Sequence, residues 1–306
     1  MTVQAQAALP SRRPRLSRDA VHGWAFATPT AAFVIGLFVI PIIIVVQMSG
    51  SDWPLFTGRQ GTNFPANYHA VLTNRFFWPS IVFTIKYTVI TTFVLIALGL
   101  GLALLVQEST RWRSLMRTVI LLPSALGLAS ASLLFYALYS PQSGPISPVL
   151  EKLGLIDQPI SFLGTPTAAL LSTVFLIVWR FTGFYMLLLL VGLQAISADM
   201  YEAAEIDGAS RWQAFRHITV PLLRPTLALC TIMCVTGSLL AFDQFYILTK
   251  GGPDNSTITV VQLIYNLAFQ GANDLGAAGA LSILVLVALL VLNVAMFSRL
   301  GSPEES

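Results

Sequence analysis

Two charged residues lie in or beside apolar stretches that are long enough to cross a membrane, and they are the first candidates for chemistry. Arg180 interrupts the apolar run 167–193, and Asp243 directly follows the run 222–242. A charge inside a membrane span is costly, so it is usually functional or paired with another polar group. Arg180 could neutralise an anionic solute, or it could form an ion pair with Asp243. The sequence leaves both interpretations open.

The usual constellations of catalysis and metal binding are missing from the sequence. It has no phosphate loop of the form G-x-x-x-x-G-K-[ST], so we expect no ATP hydrolysis by this chain. Cys230 and Cys234 stand four residues apart in an apolar run, where packing is the expected role, and they give no disulfide framework. We find no paired acids and no nucleophile with a base. The sequence therefore predicts no catalytic residue and no metal site.

The composition indicates which kind of protein must position these residues. The chain has 306 residues, of which 55% are hydrophobic and only 10% are charged, whereas a soluble domain is about 25% charged. These values exclude a disordered chain, a nucleic-acid-binding domain and an ordinary cytosolic enzyme. Because a backbone in hydrocarbon must satisfy its own hydrogen bonds, long apolar runs in such a chain predict an all-α integral membrane protein.

Six apolar runs are long enough to be transmembrane helices. They lie at about 24–48, 87–107, 118–139, 167–193, 222–242 and 275–298. The first is expected to be an uncleaved anchor, because its apolar body is too long for a signal peptide. Two small-residue pairs, Ala97 with Gly101 and Gly276 with Gly279, predict close contacts between helices.

Lys and Arg residues are distributed unevenly between the two sides of this arrangement. Eleven lie in the N-terminal tail, the 107–117 loop, the 194–224 loop and the C-terminal tail, and four lie in the loops on the other side. Cytoplasmic loops carry the excess of positive charge, so both termini are predicted to be cytoplasmic. The predicted organisation is a tail over 1–23, a six-helix transmembrane domain over 24–298 and a tail over 299–306.

The cytoplasmic loop 194–221 carries the most specific pattern. Ser197 is predicted to cap a helix over 198–207, and Gly208 can adopt the left-handed conformation that ends it. A second short helix is predicted from Ala209 to about Ile218, and Pro221 opens the fifth span. This helix–glycine–helix elbow either packs on its own bundle or docks in a groove of a partner. Physical reasoning alone leaves both alternatives open.

The elbow resembles the EAA loop of permease subunits in bacterial ABC importers. The matching residues are Glu202, Ala203, Ala204, Asp207, Gly208 and Ala209, followed by Phe215, Ile218, Pro221 and Pro225. A second stretch resembles the carbohydrate and glycerol-3-phosphate branch of that family, through Thr249, Gly251, Gly252 and Pro253. The resemblance runs from the first span to the last and implies the type I importer permease fold.

In such importers two permease subunits form the pathway, two ATPase subunits dock below them, and an external solute-binding protein delivers the solute. The resemblance therefore implies a multi-pass subunit of the bacterial inner membrane, with a distinct chain as the second permease and no nucleic-acid partner. No cofactor is implied on this chain, because ATP and Mg²⁺ belong to the ATPase.

The EAA helix is implied to couple this chain to the ATPase. Ala203 and Ala204 would permit close approach, and Glu202 would accept a charge-assisted hydrogen bond from a partner Arg or Lys. Gly208 would set the angle of the elbow, since a Cβ would strain a positive φ there. Asp207 and Ala209 complete the implied coupling segment.

The resemblance also implies a solute site in the middle of the membrane. The matching positions are Ser124, Trp179, Arg180, Phe181, Phe184, Ser238 and Ala241, and Asp243 completes the predicted substrate pathway. Ser238 and Ala241 stand where the maltose-type branch has polar amides, which predicts a different solute. The predicted function is the passage of a sugar or sugar-like solute of the oligosaccharide, glycoside or glycerol-phosphate type.

Three alternatives remain for the function. An ATP-independent secondary transporter or channel would show an inverted repeat and acidic sites within its spans, and neither is evident. An ABC permease for another solute class, such as amino acids, is disfavoured by the Thr-x-Gly-Gly-Pro stretch at 249–253. A membrane-embedded enzyme would need an acid–base set inside the spans.

Overall fold

The computed structural model describes residues 18–271 and 273–300. The described chain divides into two units, of which the first ends at Gln47 and the second begins at Met48. Parts of the two predicted cytoplasmic tails, residues 1–17 with Arg12, Arg13 and Arg15, and residues 301–306, lie outside the described residues.

The first unit is helical where it is described. Its elements are α1 (Arg18–Val34), a π-helical turn (Ile35–Val39) and the greater part of α2 (Ile40–Ser49). Ala25–Ser49 is a continuous apolar helix of 25 residues, about 37 Å long, which is enough to cross a bilayer. The π turn contains Leu37, whose carbonyl would meet the ring of Pro41 in a regular α-helix, so widening the helix here accommodates the proline.

The second unit is a helical bundle with one short hairpin. β1 (Ser51–Asp52) pairs with β2 (Gly61–Thr62) in antiparallel register, with Ser51 opposite Thr62. The helices are α3 (Ala66–Leu72), α4 (Phe77–Val106), α5 (Arg111–Leu121), α6 (Leu128–Leu138), α7 (Ile146–Lys152), α8 (Pro166–Gln194), α9 (Ala198–Ile206), α10 (Arg211–Ala214), α11 (Val220–Leu239), α12 (Asp243–Leu248), α13 (Val260–Phe269) and α14 (Leu275–Leu300).

Five helices of the described chain are long and apolar enough to cross a membrane, and the bent pair α5–α6 adds a sixth if it is counted as one span. The five are Ala25–Ser49, Phe77–Val106, Pro166–Gln194, Arg211–Leu239 and Leu275–Ser298. The bounds predicted as 24–48, 167–193 and 275–298 lie within one residue of the structure at each end.

The second span begins earlier than its predicted start at residue 87. α4 begins at Phe77 and includes Lys86, which lies on its exposed face. The predicted span began just after Lys86 because a charged residue was taken as its boundary. Lys86 lies only about 14 Å along the helix from its first residue, Phe77. A lysine at that depth can extend its ammonium group along the helix towards the membrane surface. A single basic residue therefore does not end the helix.

The third span is broken rather than continuous over 118–139. α5 passes through a 3-10 turn (Leu122–Ala125), and α6 then leaves at 92°. Pro123 supplies no backbone N–H and occurs where the α-helix ends. Leu126 and Gly127 have extended backbones, and Gly127 is the N-cap of α6. The break removes Leu126 from the regular hydrogen-bond ladder at the depth of the membrane.

The fifth span is longer than predicted at its N-terminal end. α10, a π-helical turn (Phe215–Thr219) and α11 form one helix from Arg211 to Leu239. Pro221 does not open a separate helix, because the carbonyl it would meet, that of His217, lies in the π turn. At the other end the chain turns over Leu240–Phe242 before α12 begins. The second half of the elbow is thus part of a membrane span.

The core lies between α4, α8 and α11. Tyr87, Leu95, Met186 and Leu189 are buried there. α4 lies close to α8 at Gly99, where an added Cβ would lie 3.3 Å from the Met186 nitrogen. A side chain larger than hydrogen would separate the two helices.

The two predicted small-residue pairs differ in their outcome. Gly276 does lie in close surroundings, because an added Cβ would collide with the carbonyl of Ser51 in β1 and with the side-chain amide of Asn67, but the predicted helix contact of the pair stays a prediction. Ala97 and Gly101 lie on the exposed face of α4, and an added Cβ at Gly101 would meet no heavy atom within 4 Å. The helix contact predicted for this pair is therefore wrong within the described chain. Gly99, two residues before Gly101, makes the contact.

The role of Gly99 can be tested by moving the same substitution by two residues. Gly99→Leu should lower the thermal midpoint of the detergent-purified chain, because overpacking a helix contact costs about 1–3 kcal/mol. Gly101→Leu adds the same side chain to the exposed face and should leave the midpoint unchanged. Equal midpoints for the two variants, followed by intrinsic tryptophan fluorescence on heating, would contradict this account of the core.

Candidate functional site

The elbow begins with α9, whose two ends are fixed by hydrogen bonds. Ser197 Oγ accepts from the Asp199 N–H at 3.3 Å, which confirms the predicted cap. At the other end Gly208 has φ +77°, in the left-handed region that favours glycine. The Gly208 N–H donates to the Glu205 carbonyl at 3.0 Å, and the Ala209 N–H donates to the Ala204 carbonyl at 2.9 Å. These two bonds form a Schellman motif, which closes the helix.

The second helix of the elbow begins only two residues later. Ser210 Oγ accepts from the Gln213 N–H at 3.3 Å, and Gln213 Oε1 accepts from the Ser210 N–H at 2.7 Å. This reciprocal pair is a capping box. The four residues 207–210 are therefore the whole connection between α9 and the long helix that becomes the fifth span. An elbow with both inner ends capped is geometrically well defined.

One hydrogen bond links the elbow to the base of the fifth span. The Tyr201 hydroxyl lies 2.9 Å from Thr219 Oγ1, in the π turn. Thr219 is buried, so the bond is partly shielded from solvent. Below it, Trp212 and Phe215 stack at 5.5 Å with an interplanar angle of 28°. Of these two rings, Trp212 is exposed and Phe215 is half-buried.

The predicted coupling residues are divided between two faces. Glu202, Ala203, Asp207 and Gly208 are exposed, whereas Ala204 and Ala209 are half-buried. Sequence reasoning missed Ile206, which is 86% exposed beside them. An isoleucine in a helix otherwise rich in Ala, Asp and Glu was the available signal.

Three of the predicted mid-membrane residues come together at the break in the third span. Ser124 Oγ donates to the Arg180 carbonyl at 2.6 Å, and Arg180 Nε donates to the Leu126 carbonyl at 2.8 Å. The Arg180 guanidinium lies 4.2 Å from the centre of the Phe181 ring, a cation–π distance. Gly183 permits α8 to lie close to the end of α5, since an added Cβ would collide with the Ile120 carbonyl.

The remaining predicted pathway residues are spread through the bundle. The ring of Trp179 packs against that of Phe135, with 5.1 Å between the ring centres, and the rings of Phe184 and Tyr185 are 5.4 Å apart in the same measure. Ser238 and Ala241 are buried in the core, and the Ala241 carbonyl accepts from Thr259 Oγ1 at 2.7 Å. The arrangement joins Ser124, Arg180 and Phe181 but sets Ser238 and Ala241 in packed surroundings.

Asp243 is exposed at the start of α12 and is not paired with Arg180. Over residues 18–271 and 273–300 the one ion pair is Arg113 with Glu108. The alternative in which Arg180 pairs with Asp243 is therefore wrong for this structure, because the guanidinium instead satisfies a carbonyl that the helix break leaves free. In the same described residues the Asp243 carboxylate has no hydrogen-bond partner.

The cysteines and acidic residues of the described chain form no metal centre. Cys230 and Cys234 are both buried and carry free thiols. Within residues 18–271 and 273–300, no group of three or more His, Cys, Asp or Glu side chains is placed to hold a metal ion.

Known proteins are similar to this chain over most of its length. Residues 95–300 match the family described as binding-protein-dependent transport system inner membrane component. The trehalose/maltose transport system permease protein MalF of Thermococcus litoralis is 35% identical over 261 residues, covering 83% of this chain and 87% of the relative. The lactose transport system permease protein LacF of Rhizobium radiobacter is 32% identical, covering 90% and 93%.

A solved structure shares the fold. A chain of a bacterial ABC transporter involved in the import of the acidic polysaccharide alginate superposes with a TM-score of 0.81 at 23% identity, over 94% of this chain and 98% of that one. At this identity the likeness shows the fold alone. The family match and the two permease relatives also establish the family of the chain. The chain belongs to the family of binding-protein-dependent transport system inner membrane components, and it is a membrane transport subunit rather than an enzyme.

Proposed function

We propose that the chain is the permease subunit of an ATP-driven importer for a sugar or sugar-like solute, in which it forms half of the translocation pathway. The observation that carries the proposal is the doubly capped elbow at 197–213, with its exposed Glu202, Ala203 and Ile206. The relatives named for trehalose/maltose and for lactose transport support a carbohydrate of the oligosaccharide or glycoside type.

The proposed complex contains three kinds of partner. A second, distinct permease completes the pathway, two ATPases bind ATP and Mg²⁺, and an extracytoplasmic binding protein delivers the solute. The family description, which names binding-protein dependence and the inner membrane, supports this assembly. The excess of Lys and Arg on one side supports a six-span topology in a bacterial inner membrane, with the termini and elbow facing the cytoplasm.

The elbow has the properties of a rigid lever. α9 presents small and acidic side chains at its surface, and Glu202 can accept a charge-assisted hydrogen bond from a basic residue of the ATPase. The short capped connection over 207–210 then leads directly into a helix of 29 residues, about 44 Å long. Because no flexible segment separates α9 from the fifth span, movement of the ATPase would be transmitted as a rigid-body rotation of that span.

Within the pathway we assign Arg180 a positioning role. Its Nε–H satisfies the Leu126 carbonyl, and its own carbonyl accepts from Ser124. Both bonds hold the fourth span against the broken third span. In hydrocarbon the Leu126 carbonyl would otherwise be unsatisfied, so the arginine stabilises the break from which the polar lining of a pathway can be built.

Gly208 provides the first test of the elbow. Gly208→Val should reduce the amount of ATPase that co-purifies with the tagged chain from native membranes, because a β-branched residue at φ +77° would distort the connection. Gly154→Val is a matched control, since Gly154 also has a positive φ, +68°, with open space around it in another loop. If both variants retain the ATPase, or if the wild type captures none, the coupling assignment fails.

Tyr201 provides a second test, of transmission rather than docking. Tyr201→Phe removes the hydrogen bond to Thr219 and leaves the ring in place, so the ATPase should still co-purify. Transport per ATP hydrolysed should fall by up to about tenfold, since one such bond contributes about 0.5–1.5 kcal/mol. Thr219→Val deletes the same bond from the other side and should give the same loss, while the double variant should lose no more than either. Additive losses would show that the two groups act separately.

Arg180 provides a third test, which separates positioning from solute binding. Arg180→Met keeps a long side chain but removes the donor, so the thermal midpoint of the isolated chain should fall, with a cost of about 1–3 kcal/mol for the unsatisfied carbonyl. Lys86→Met is the control, because Lys86 is a cation within another described span and lies on its exposed face. An unchanged midpoint together with lost transport would instead assign Arg180 to the solute.

A further inference from the structure

Four aromatic rings meet beside the end of the fifth span. Phe242 and Tyr246 stack at 5.1 Å with an interplanar angle of 18°. Tyr265 contacts both, at 5.2 Å and 5.1 Å, and Phe269 extends the group at 5.3 Å from Tyr265. We refer to Phe242, Tyr246, Tyr265 and Phe269 as the aromatic cluster. It joins α12 to α13 across the loop 249–259.

The aromatic cluster lies outside the buried core. Phe242, Tyr246 and Tyr265 are half-buried, and Phe269 is 53% exposed. α12 is anchored on its other face by Phe245. The core therefore holds the helices in place without using the four rings, and their outer faces remain available for a ligand.

Polar groups border the rings. The hydroxyls of Tyr246 and Tyr265 lie 3.3 Å apart, so one donates to the other and one hydroxyl proton stays free. Asp243 lies three residues before Tyr246 on α12, a spacing that places both on one side of the helix. The carboxylate is exposed, and over the described ranges 18–271 and 273–300 it has no hydrogen bond and no ion pair.

We infer that the aromatic cluster and Asp243 form a subsite for an uncharged pyranose ring. The aromatic faces match the apolar C–H face of the sugar, and the carboxylate can accept hydrogen bonds from two neighbouring sugar hydroxyls. The free phenol proton can donate to a third oxygen. An apolar surface with a few well-placed polar groups is the usual composition of a small-molecule site. The inference rests on the proposed function, because a carbohydrate pathway gives the subsite its substrate.

The charge of the subsite selects against acidic sugars. Asp243 has no cation beside it in the described chain, so a second carboxylate in the same place would be repelled. Arg180 does not offset this charge, because its guanidinium is engaged with the Leu126 carbonyl and the Phe181 ring. A neutral hexose should therefore bind better than the corresponding uronic acid.

The competing explanation is an aromatic belt, in which Tyr and Phe anchor the helices at the membrane surface. A belt needs rings at the surface, but it does not need the rings to contact one another or to flank an unpaired carboxylate. Binding of a free sugar in solution separates the two explanations, because a belt predicts none.

The experiment is saturation-transfer NMR on the full-length chain in nanodiscs. The ligands are methyl β-D-glucopyranoside, maltose and lactose, with methyl β-D-glucuronide as the acidic counterpart of the first. The neutral sugars should receive saturation on their C–H protons, and the glucuronide should receive roughly three- to tenfold less. Asp243→Asn should weaken the signals of the neutral sugars by a similar factor and remove the discrimination against the glucuronide.

Matched variants test the assignment to these residues. Tyr265→Leu should abolish the transfer, and Tyr246→Phe with Tyr265→Phe should reduce it while keeping the rings, with thermal midpoints confirming the fold. Asp157→Asn and Phe64→Leu change an exposed carboxylate and an exposed ring elsewhere and should leave the signals unchanged. Absence of transfer from all three neutral sugars, or transfer that survives both Asp243→Asn and Tyr265→Leu, would overturn the inference in favour of the belt.

The same measurement on Gly208→Val keeps this inference apart from the proposed function. That variant should lose the ATPase yet bind sugar like the wild type. Sugar binding that depends on Asp243 without any ATPase capture by the wild type would support the subsite and reject the importer. ATPase capture without sugar binding would do the reverse.

Discussion

The structure depends on one constraint, which is that backbone groups in hydrocarbon must find partners within the protein. An unbroken helix meets this constraint by itself, but the third span is interrupted and the fifth span ends at Leu239, where the chain turns. In both cases a side chain from elsewhere supplies the missing bond. Arg180 donates to the Leu126 carbonyl at one break, and Thr259 donates to the Ala241 carbonyl at the other. The helix breaks thus depend on polar side chains inside the bundle that donate hydrogen bonds to the freed carbonyls.

Broken helices matter for a transport subunit because a solute needs polar surface where a regular helix offers only side chains. At each break the chain changes direction, and new loops and short helices can enter the bundle. The start of α13 shows how such a segment is fixed, since its Val260 N–H donates to Thr84 of the second span at 3.0 Å. Tyr87, one turn further, accepts from Gln244 of α12 at 3.1 Å. The second span is therefore the scaffold on which the irregular segments are mounted.

The regular parts of this architecture could be predicted from the sequence, and the irregular parts could not. Apolar length predicted the first, fourth and sixth spans closely, and local chemistry predicted Ser197 as a cap and Gly208 as the corner of the elbow. The start of α4 was missed because Lys86 was treated as a boundary, although a long side chain tolerates that depth. The contact at Gly99 was assigned to Gly101, since small-residue spacing identifies a helix but not which face meets a partner.

The roles of the two charged residues, Arg180 and Asp243, also could not be predicted from the sequence, and the structure distinguishes them. From the sequence, Arg180 and Asp243 were equivalent, because each is a costly charge near the membrane interior. The structure separates them by their partners: the arginine contacts a backbone carbonyl and a ring, whereas the exposed carboxylate has no protein partner in the described chain. A satisfied charge stabilises the fold, and an exposed unsatisfied carboxylate beside half-buried aromatic rings is free to bind a ligand. The charge that this end of α12 offers to a solute is the carboxylate of Asp243, which favours an uncharged sugar over an acidic one.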